Sequence, residues 1–92
     1  MAWTIELHED AFDQLARLAR KDRVTARRIT RVLAELADLD DPRVRAKALS
    51  GPLAGLWRYR VGDWRVIADI QEHRLVILAL DIEHRSTVYR RR

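Results

Sequence analysis

The stretch Leu56-Trp57-Arg58-Tyr59-Arg60-Val61-Gly62-Asp63-Trp64-Arg65-Val66-Ile67-Ala68-Asp69-Ile70 decides the fold. On either side of Gly62-Asp63, aromatic and β-branched residues alternate with polar ones, the period of a strand. Glycine first in a two-residue loop points to a type II′ hairpin. With Gly62-Asp63 as the whole loop, Val61 faces Trp64, Arg60 faces Arg65, Tyr59 faces Val66 and Arg58 faces Ile67. Side chains alternate across a strand. One face therefore collects Trp57, Tyr59, Val61, Trp64, Val66, Ala68 and Ile70, and reads as core. The other collects Arg58, Arg60, Arg65, Ile67 and Asp69. Like charges directly opposite one another destabilise a sheet, where even a favourable pair contributes only ~0.2–1 kcal/mol. Either Arg60 and Arg65 splay into water with Asp69 partly neutralising them, or an anion sits between them.

Working outward, Trp3 to Leu7 alternates apolar and polar, which predicts a short half-buried strand. Glu9 to Arg20 switches to helical spacing, with Phe12, Leu15, Leu18 and Ala19 on one face. Asp22 is an N-cap candidate for a second helix whose apolar face reads Ala26, Ile29, Val32, Leu33 and Leu36. Asp40-Asp41-Pro42 ends it, since proline cannot continue a helix and restricts the residue before it. Arg43 to Gly55 reads as a loop around Ser50-Gly51-Pro52. After the hairpin, Gln71–His73 turns the chain into a third strand, Arg74–Ile82. Leu75 to Leu80 is apolar at every position, which predicts a central strand covered on both faces. Glu83 to Arg92 reads as a polar, basic tail. The fold class is α+β: an N-terminal strand, a helix pair, then a three-stranded antiparallel meander, one small sheet with helices on one face.

At 92 residues the chain makes a single domain, residues 1–92, with no internal repeat. The absence of cysteine excludes a disulfide framework and a cysteine-based zinc site. His8 and His73 have no second ligand at metal spacing, so neither a metal nor a cofactor is expected. The acidic start shows no signal-peptide pattern, and no apolar run approaches a membrane span. A cytoplasmic protein without membrane contact is the expectation. Charge is unevenly spread. Residues 1–42 carry seven Lys/Arg against nine Asp/Glu, whereas residues 43–92 carry eleven against five. A basic second half suits a polyanionic partner. The basic residues of the helices, Arg17 to Arg31, read as a solvated face.

The run Leu49-Ser50-Gly51 through Trp57-Arg58-Tyr59-Arg60-Val61-Gly62-Asp63-Trp64-Arg65-Val66-Ile67 resembles the central pattern of RelE/ParE-superfamily toxins. There an L-x-G loop leads into a basic-x-basic strand, then G-D, an aromatic and arginine. His84-Arg85-Ser86-Thr87-Val88-Tyr89-Arg90 is similar to the H-R-x-x-V-Y-R close of the RelE-like branch. The resemblance implies an mRNA endonuclease (an mRNA interferase) that needs no metal and cuts mRNA in the ribosomal A site. It also implies a small, acidic, RelB-like antitoxin with a DNA-binding part, so that operator DNA is met only through the antitoxin complex. By motif position, Arg58 and Arg60 match the family's basic pair, Arg65 the arginine after the aromatic, Arg85 a basic residue of the tail, and Tyr89 the tyrosine beside the cleaved bond. A further tail arginine of the best-known members is replaced here by Glu83 and His84.

Cleavage by 2′-OH attack needs a base, positive charge for the phosphorane, and an acid for the leaving 5′-oxygen. Arginine supplies the charge but stays protonated. Proton transfer is thus expected of Tyr89 and His84, phosphate clamping of Arg65, and backbone positioning of Arg58, Arg60 and Arg85. Arg45 and Lys47 either extend the RNA track or belong to a solvated loop. His84 alternatively packs or caps the tail, and Glu83 reads as a solvated charge or an arginine partner. Two other functions suit the same scaffold: a ParE-like inhibitor of DNA gyrase, and a catalytically inactive antitoxin-binding module.

Overall fold

The computed structural model describes residues 3–86. In chain order it contains β1 (Thr4–Leu7), α1 (Glu9–Lys21), α2 (Arg23–Ala37), β2 (Lys47–Ala48), β3 (Trp57–Val61), β4 (Trp64–Gln71) and β5 (Val76–His84). The five strands form one sheet in the order β1-β5-β4-β3-β2. β1 runs parallel to β5, and the other neighbours are antiparallel. The α+β class and the helix pair on one face are as the sequence predicts.

Local chemistry explains the helices. His8 Nδ1 accepts the Asp10 amide at 3.1 Å and opens α1. Asp22 caps α2 as expected, accepting the Thr25 amide at 3.1 Å and the Thr25 hydroxyl at 2.6 Å. Those two bonds, the hydroxyl first, hold the Asp22 carboxyl below its ordinary value. Helix α2 stops at Ala37, ahead of Asp40-Asp41-Pro42. Ala11 and Leu18 of α1, with Ala26, Ile29, Leu33 and Leu36 of α2, pack on Tyr59, Val61, Val66, Ala68, Ile77, Ala79 and Ile82. Phe12 departs from the expected buried stripe and is 59% exposed. Trp57 is half-buried and stands outside the main cluster.

Three sequence expectations change. The stretch read as a loop, Arg43–Gly55, contains β2, whose two residues pair with Trp57 and Arg58. Two residues are too few to show a period, and the pairing depends on a distant partner. The last strand does not span Arg74–Ile82. Glu72–Arg74 wind into a 3-10 turn and Leu75 takes a left-handed φ of 54°, so β5 begins at Val76. At its far end β5 continues through Glu83 and His84, because Trp64 and Arg65 of the longer hairpin arm supply their backbone partners. These two residues therefore belong to the sheet and not to a tail. Finally, β5 lies centrally between β1 and β4, but Leu78 and Leu80 are only half-buried, so its second face is partly open.

One irregularity matters for the site. Ile67 pairs with Asp81 but Ala68 pairs with Ala79, so Leu80 is an extra residue in β5. Such a bulge shifts which side chains share a face. It keeps Ile82 on the core face with Ile77 and Ala79, and it turns Asp81 and Glu83 to the side that carries the hairpin arginines.

Candidate nucleic-acid interface

The hairpin turn is built as the sequence predicts. Gly62 has a φ of 60°, whereas Asp63 is not among the positive-φ residues. This is the type II′ pattern. The register is also the predicted one, with Arg60 opposite Arg65 and Arg58 opposite Ile67. Because cross-strand partners share a face, the pairings define two rows on the side of the sheet away from the helices. One row runs Lys47, Arg58, Ile67, Asp81, and the next runs Arg60, Arg65, Glu83. In these two rows the cations lie on β2, β3 and β4 and the carboxylates on β5, with Asp69 of β4 further along the same face.

Within this array the side chains are held to different degrees. Arg60 is exposed, whereas Arg58 and Arg65 are half-buried. Arg65 Nη1 donates to the Arg85 carbonyl at 3.3 Å. The Arg85 amide donates to the Asp63 carbonyl at 2.8 Å, and its guanidinium lies 3.9 Å from the Asp63 carboxylate. The turn thereby ties the start of the C-terminal motif to the arginine face. Arg58 Nε is shielded from water with no acceptor among the described residues. Asp81 accepts from Gln14 Nε2 at 3.1 Å, while Gln14 Oε1 accepts the Ile82 amide at 2.6 Å. Gln14 thus caps the edge that β5 exposes once β1 has ended. Asp69 accepts from Gln71 at 3.0 Å.

Of the residues singled out in the sequence, Lys47, Arg58, Arg60 and Arg65 come together on one face, with Arg85 beside them. Two do not join them. His84 is the cross-strand partner of Trp64 and lies on the helix side of the sheet. Its ring meets Trp64 edge-on at a centroid distance of 5.4 Å, and Nδ1 lies 2.9 Å from Ser86 Oγ. Arg45 turns to Glu35 of α2 at 3.2 Å, away from the arginine rows. Tyr89 lies outside the described residues. Tyr59 is sealed in the core with its hydroxyl donating to the Pro42 carbonyl at 2.9 Å, and burial pushes its pKa up to about 12. Among the described residues no group of three or more His, Cys, Asp or Glu side chains could hold a metal ion, and no helix is long and apolar enough to cross a membrane.

The sequence left Glu83 open between a solvated charge and an arginine partner, and the solvated alternative is not what the structure shows. It is the one buried charged side chain among the described residues, 7% exposed, and it faces Arg65. Its signal lay in the pairing of β5 with β4, which a run of polar residues near a terminus conceals.

The domain is thus a small α+β unit with a cationic sheet face behind a helix-packed core. The sequence matches the family described as the ParE toxin of the type II toxin-antitoxin system parDE over residues 5–89. The chain belongs to this family, within the RelE/ParE superfamily, and is a type II toxin. No curated protein matches it. Among solved structures it is similar to a chain of the RelBE2 toxin-antitoxin complex from Mycobacterium tuberculosis, with 24% identity, 94% of each chain covered and a TM-score of 0.69. It is similar to a chain of the archaeal RelE–RelB complex from Pyrococcus horikoshii, with 26% identity, 92% and 97% covered and a TM-score of 0.70. A doubly substituted Escherichia coli toxin RelE in the free state shares the fold with a TM-score of 0.76 at 15% identity, over 97% and 90% of the chains.

Proposed function

We propose that this toxin is a ribosome-dependent mRNA endonuclease of the cytoplasm, acting in the ribosomal A site and silenced by a RelB-like antitoxin. The observation that supports it is the opposition of Arg60 to Arg65, with Arg58 and Lys47 alongside, on the face of the sheet away from the helices. Stability alone disfavours this arrangement, and a phosphodiester between the guanidinium groups relieves it. The shielded Arg58 Nε has the same requirement, because a buried donor takes an acceptor and a phosphate oxygen is one.

In the proposed reaction the ribose 2′-oxygen bonds to phosphorus, the bond to the 5′-oxygen breaks, and the products carry a 2′,3′-cyclic phosphate and a 5′-hydroxyl. Arg65 clamps the phosphate and stabilises the phosphorane charge. Arg58, Arg60, Lys47 and Arg85 position the backbone. Tyr89 stacks on the substrate and, as the phenolate, takes the 2′-OH proton, since arginines cannot, while a water molecule protonates the leaving 5′-oxygen. His84, which faces the helix side, orders the turn into the C-terminal motif through Ser86.

Five structural neighbours are RelBE-type or YoeB-YefM toxin-antitoxin complexes. For a partner of that kind, the groove between α1 and α2 supplies a surface. Phe12, Leu15 and Ala16 form its apolar wall, and Arg23, Arg27 and Arg31 recur every four residues along its other wall. These features suit an acidic amphipathic helix. Operator DNA is met through the antitoxin.

The family match to ParE favours a second reading, inhibition of DNA gyrase without RNA cleavage. Induction of the toxin followed by mapping of mRNA 5′ ends separates the two. Cuts within translated codons, abolished together with growth arrest in Arg65→Ala and Tyr89→Phe, are the expected result. A DNA-damage response without cuts selects the gyrase reading, and folded toxin that gives neither selects an inactive antitoxin-binding module.

A further inference from the structure

We propose that the cleft between the end of α1 and the end of β5 is a nucleotide subsite, in which Trp64 and His84 receive the base and Arg17 and Lys21 its phosphate. The inference deepens the endonuclease reading and rests on it for one point alone, that the nucleotide belongs to the RNA strand held by the arginine rows.

The cleft opens on the helix side of the sheet, where α1 runs on past the end of β1. Its volume is about 870 Å³, within the range of roughly 300–1,000 Å³ that small-ligand sites occupy. The buried side chains of Leu18 and Ile82 supply its apolar lining. Gln14 is a fixed part of the wall, because its amide already donates to Asp81 and its oxygen already accepts the Ile82 amide.

The ring centroids of Trp64 and His84 are 5.4 Å apart, with 83° between the ring planes. Two perpendicular rings form a corner, and a flat base laid against one of them meets the other edge-on. Trp64 is half-buried, and its indole N–H has no acceptor among the described residues, whereas the Trp3 indole donates to the Asp40 carbonyl at 3.2 Å. The Ser86 amide donates to His84 Nδ1 at 3.3 Å, which places the proton of the neutral ring on Nε2. Each ring therefore carries an N–H suited to the carbonyl and ring-nitrogen acceptors of a base.

Arg17 and Lys21 line the same cleft from successive turns of α1. Both are exposed, and among the described residues neither is in an ion pair. Like charges at this spacing weaken a helix. Lys21 lies in the last turn, where the helix dipole favours a cation. Arg17 stands one turn too early for that benefit, and a phosphate between the two relieves their repulsion. Asp22, the carboxylate beside Lys21, is engaged by the Thr25 amide and hydroxyl. The mouth is thus modestly cationic, which suits one phosphate better than a run of acidic side chains. An acidic helix is better served by the groove between α1 and α2, with its apolar wall and three arginines. Stacking rings beside cations are the means by which unpaired RNA is held. Trp64 directly precedes Arg65 and His84 directly precedes Arg85, so the subsite adjoins the arginine rows at the hairpin end of the sheet.

The test titrates the full-length free toxin with adenosine and uridine 5′-monophosphates, ribose 5-phosphate and a polyglutamate peptide, each read by the Trp64 indole N–H resonance in NMR spectra. Both nucleotides are expected to shift this resonance. Ribose 5-phosphate, which has no base, should leave it in place. The double variant Arg17→Ala/Lys21→Ala, changed only at exposed positions, should weaken nucleotide binding severalfold at unchanged Tm. Trp64→Leu, followed by calorimetry, should weaken it by about 10-fold, the scale of one lost base stack. A short single-stranded RNA made uncleavable by 2′-O-methyl groups should lose affinity in Arg17→Ala/Lys21→Ala and also in Arg60→Ala, whereas the mononucleotides should be indifferent to Arg60→Ala. A resonance that nucleotides do not move, or that ribose 5-phosphate moves equally, overturns the subsite. A shift with polyglutamate alone overturns it in favour of an acidic protein partner. RNA affinity indifferent to Arg17→Ala/Lys21→Ala overturns the link to the bound strand. A wild-type toxin that leaves ribosome-bound mRNA intact overturns the endonuclease reading, and the mononucleotide titrations then decide the subsite by themselves.

Discussion

The two faces of the β3–β4 hairpin are made from adjacent residues yet obey opposite rules. On the helix side, Tyr59, Val66 and Ala68 are buried against α1 and α2, and the tyrosine hydroxyl has a carbonyl partner. On the other side, Arg60 opposes Arg65, while Lys47 opposes Arg58. The first face lowers the free energy of folding by removing apolar surface from water. The second raises it by holding like charges together. A sequence that repeats this opposition along two strands sacrifices stability on one face for a use that stability does not explain. The hairpin's strict alternation lets it do both at once.

Changes on each face should therefore separate stability from function. The largest expected stability effect is on the packed side. Ile77→Ala, at a fully buried position, should cost about 2–5 kcal/mol in urea denaturation, with toxicity abolished only because the chain unfolds. A folded, fully stable Ile77→Ala protein would show that the helix-packed face is not the core.

Arg60→Ala should do the reverse. Removing one member of the opposed pair should stabilise the chain by about 0.2–1 kcal/mol. It should also weaken binding to single-stranded RNA and lower the magnitude of the log–log salt slope by about 0.7 for each phosphate that is no longer neutralised. A destabilised Arg60→Ala protein with an unchanged salt slope would mean that the pair is structural and not an anion site.

Gly62→Ala probes the link between the faces. The residue has a φ of 60°, and an added Cβ would come 3.1 Å from Arg28 Nη1 of α2. A left-handed alanine costs roughly 1–2 kcal/mol, and the strained turn should disturb the Arg60–Arg65 pairing next to it. Thermal melting and RNA binding should fall together. A fall in one without the other would show that turn geometry and arginine register are independent.

The smallest effect lies far from the arginines, at the cap of α2. The Asp22 carboxyl is held below its ordinary value by the Thr25 hydroxyl and amide. A folded-state pKa below the unfolded one gives stability that is present above the unfolded value, near ~3.9, and is lost as pH falls through the folded value. The Tm difference between wild type and Asp22→Ala should therefore be present at neutral pH and shrink in acid below about pH 4. A difference that is constant across this range would remove the charged cap from the explanation of α2.

What could be read from the chain alone was whatever depends on near neighbours. The alternation through Trp57–Val61 and Trp64–Ile70, with glycine first in a two-residue turn, determined the hairpin, its register and the sharing of a face by Arg58, Arg60 and Arg65. The helical spacing and Asp22 determined the helix pair. Tertiary structure decided everything that needs a distant partner. It paired Lys47 with Arg58, since a two-residue strand has no period of its own. It extended β5 to His84 by matching it to the long arm of the hairpin. It inserted Leu80 as a bulge, and that single residue decided which way the C-terminal motif points: Glu83 toward the arginines and His84 toward Trp64. Side-chain parity is local, but a bulge inverts it, and only the pairing between strands reveals where that inversion falls.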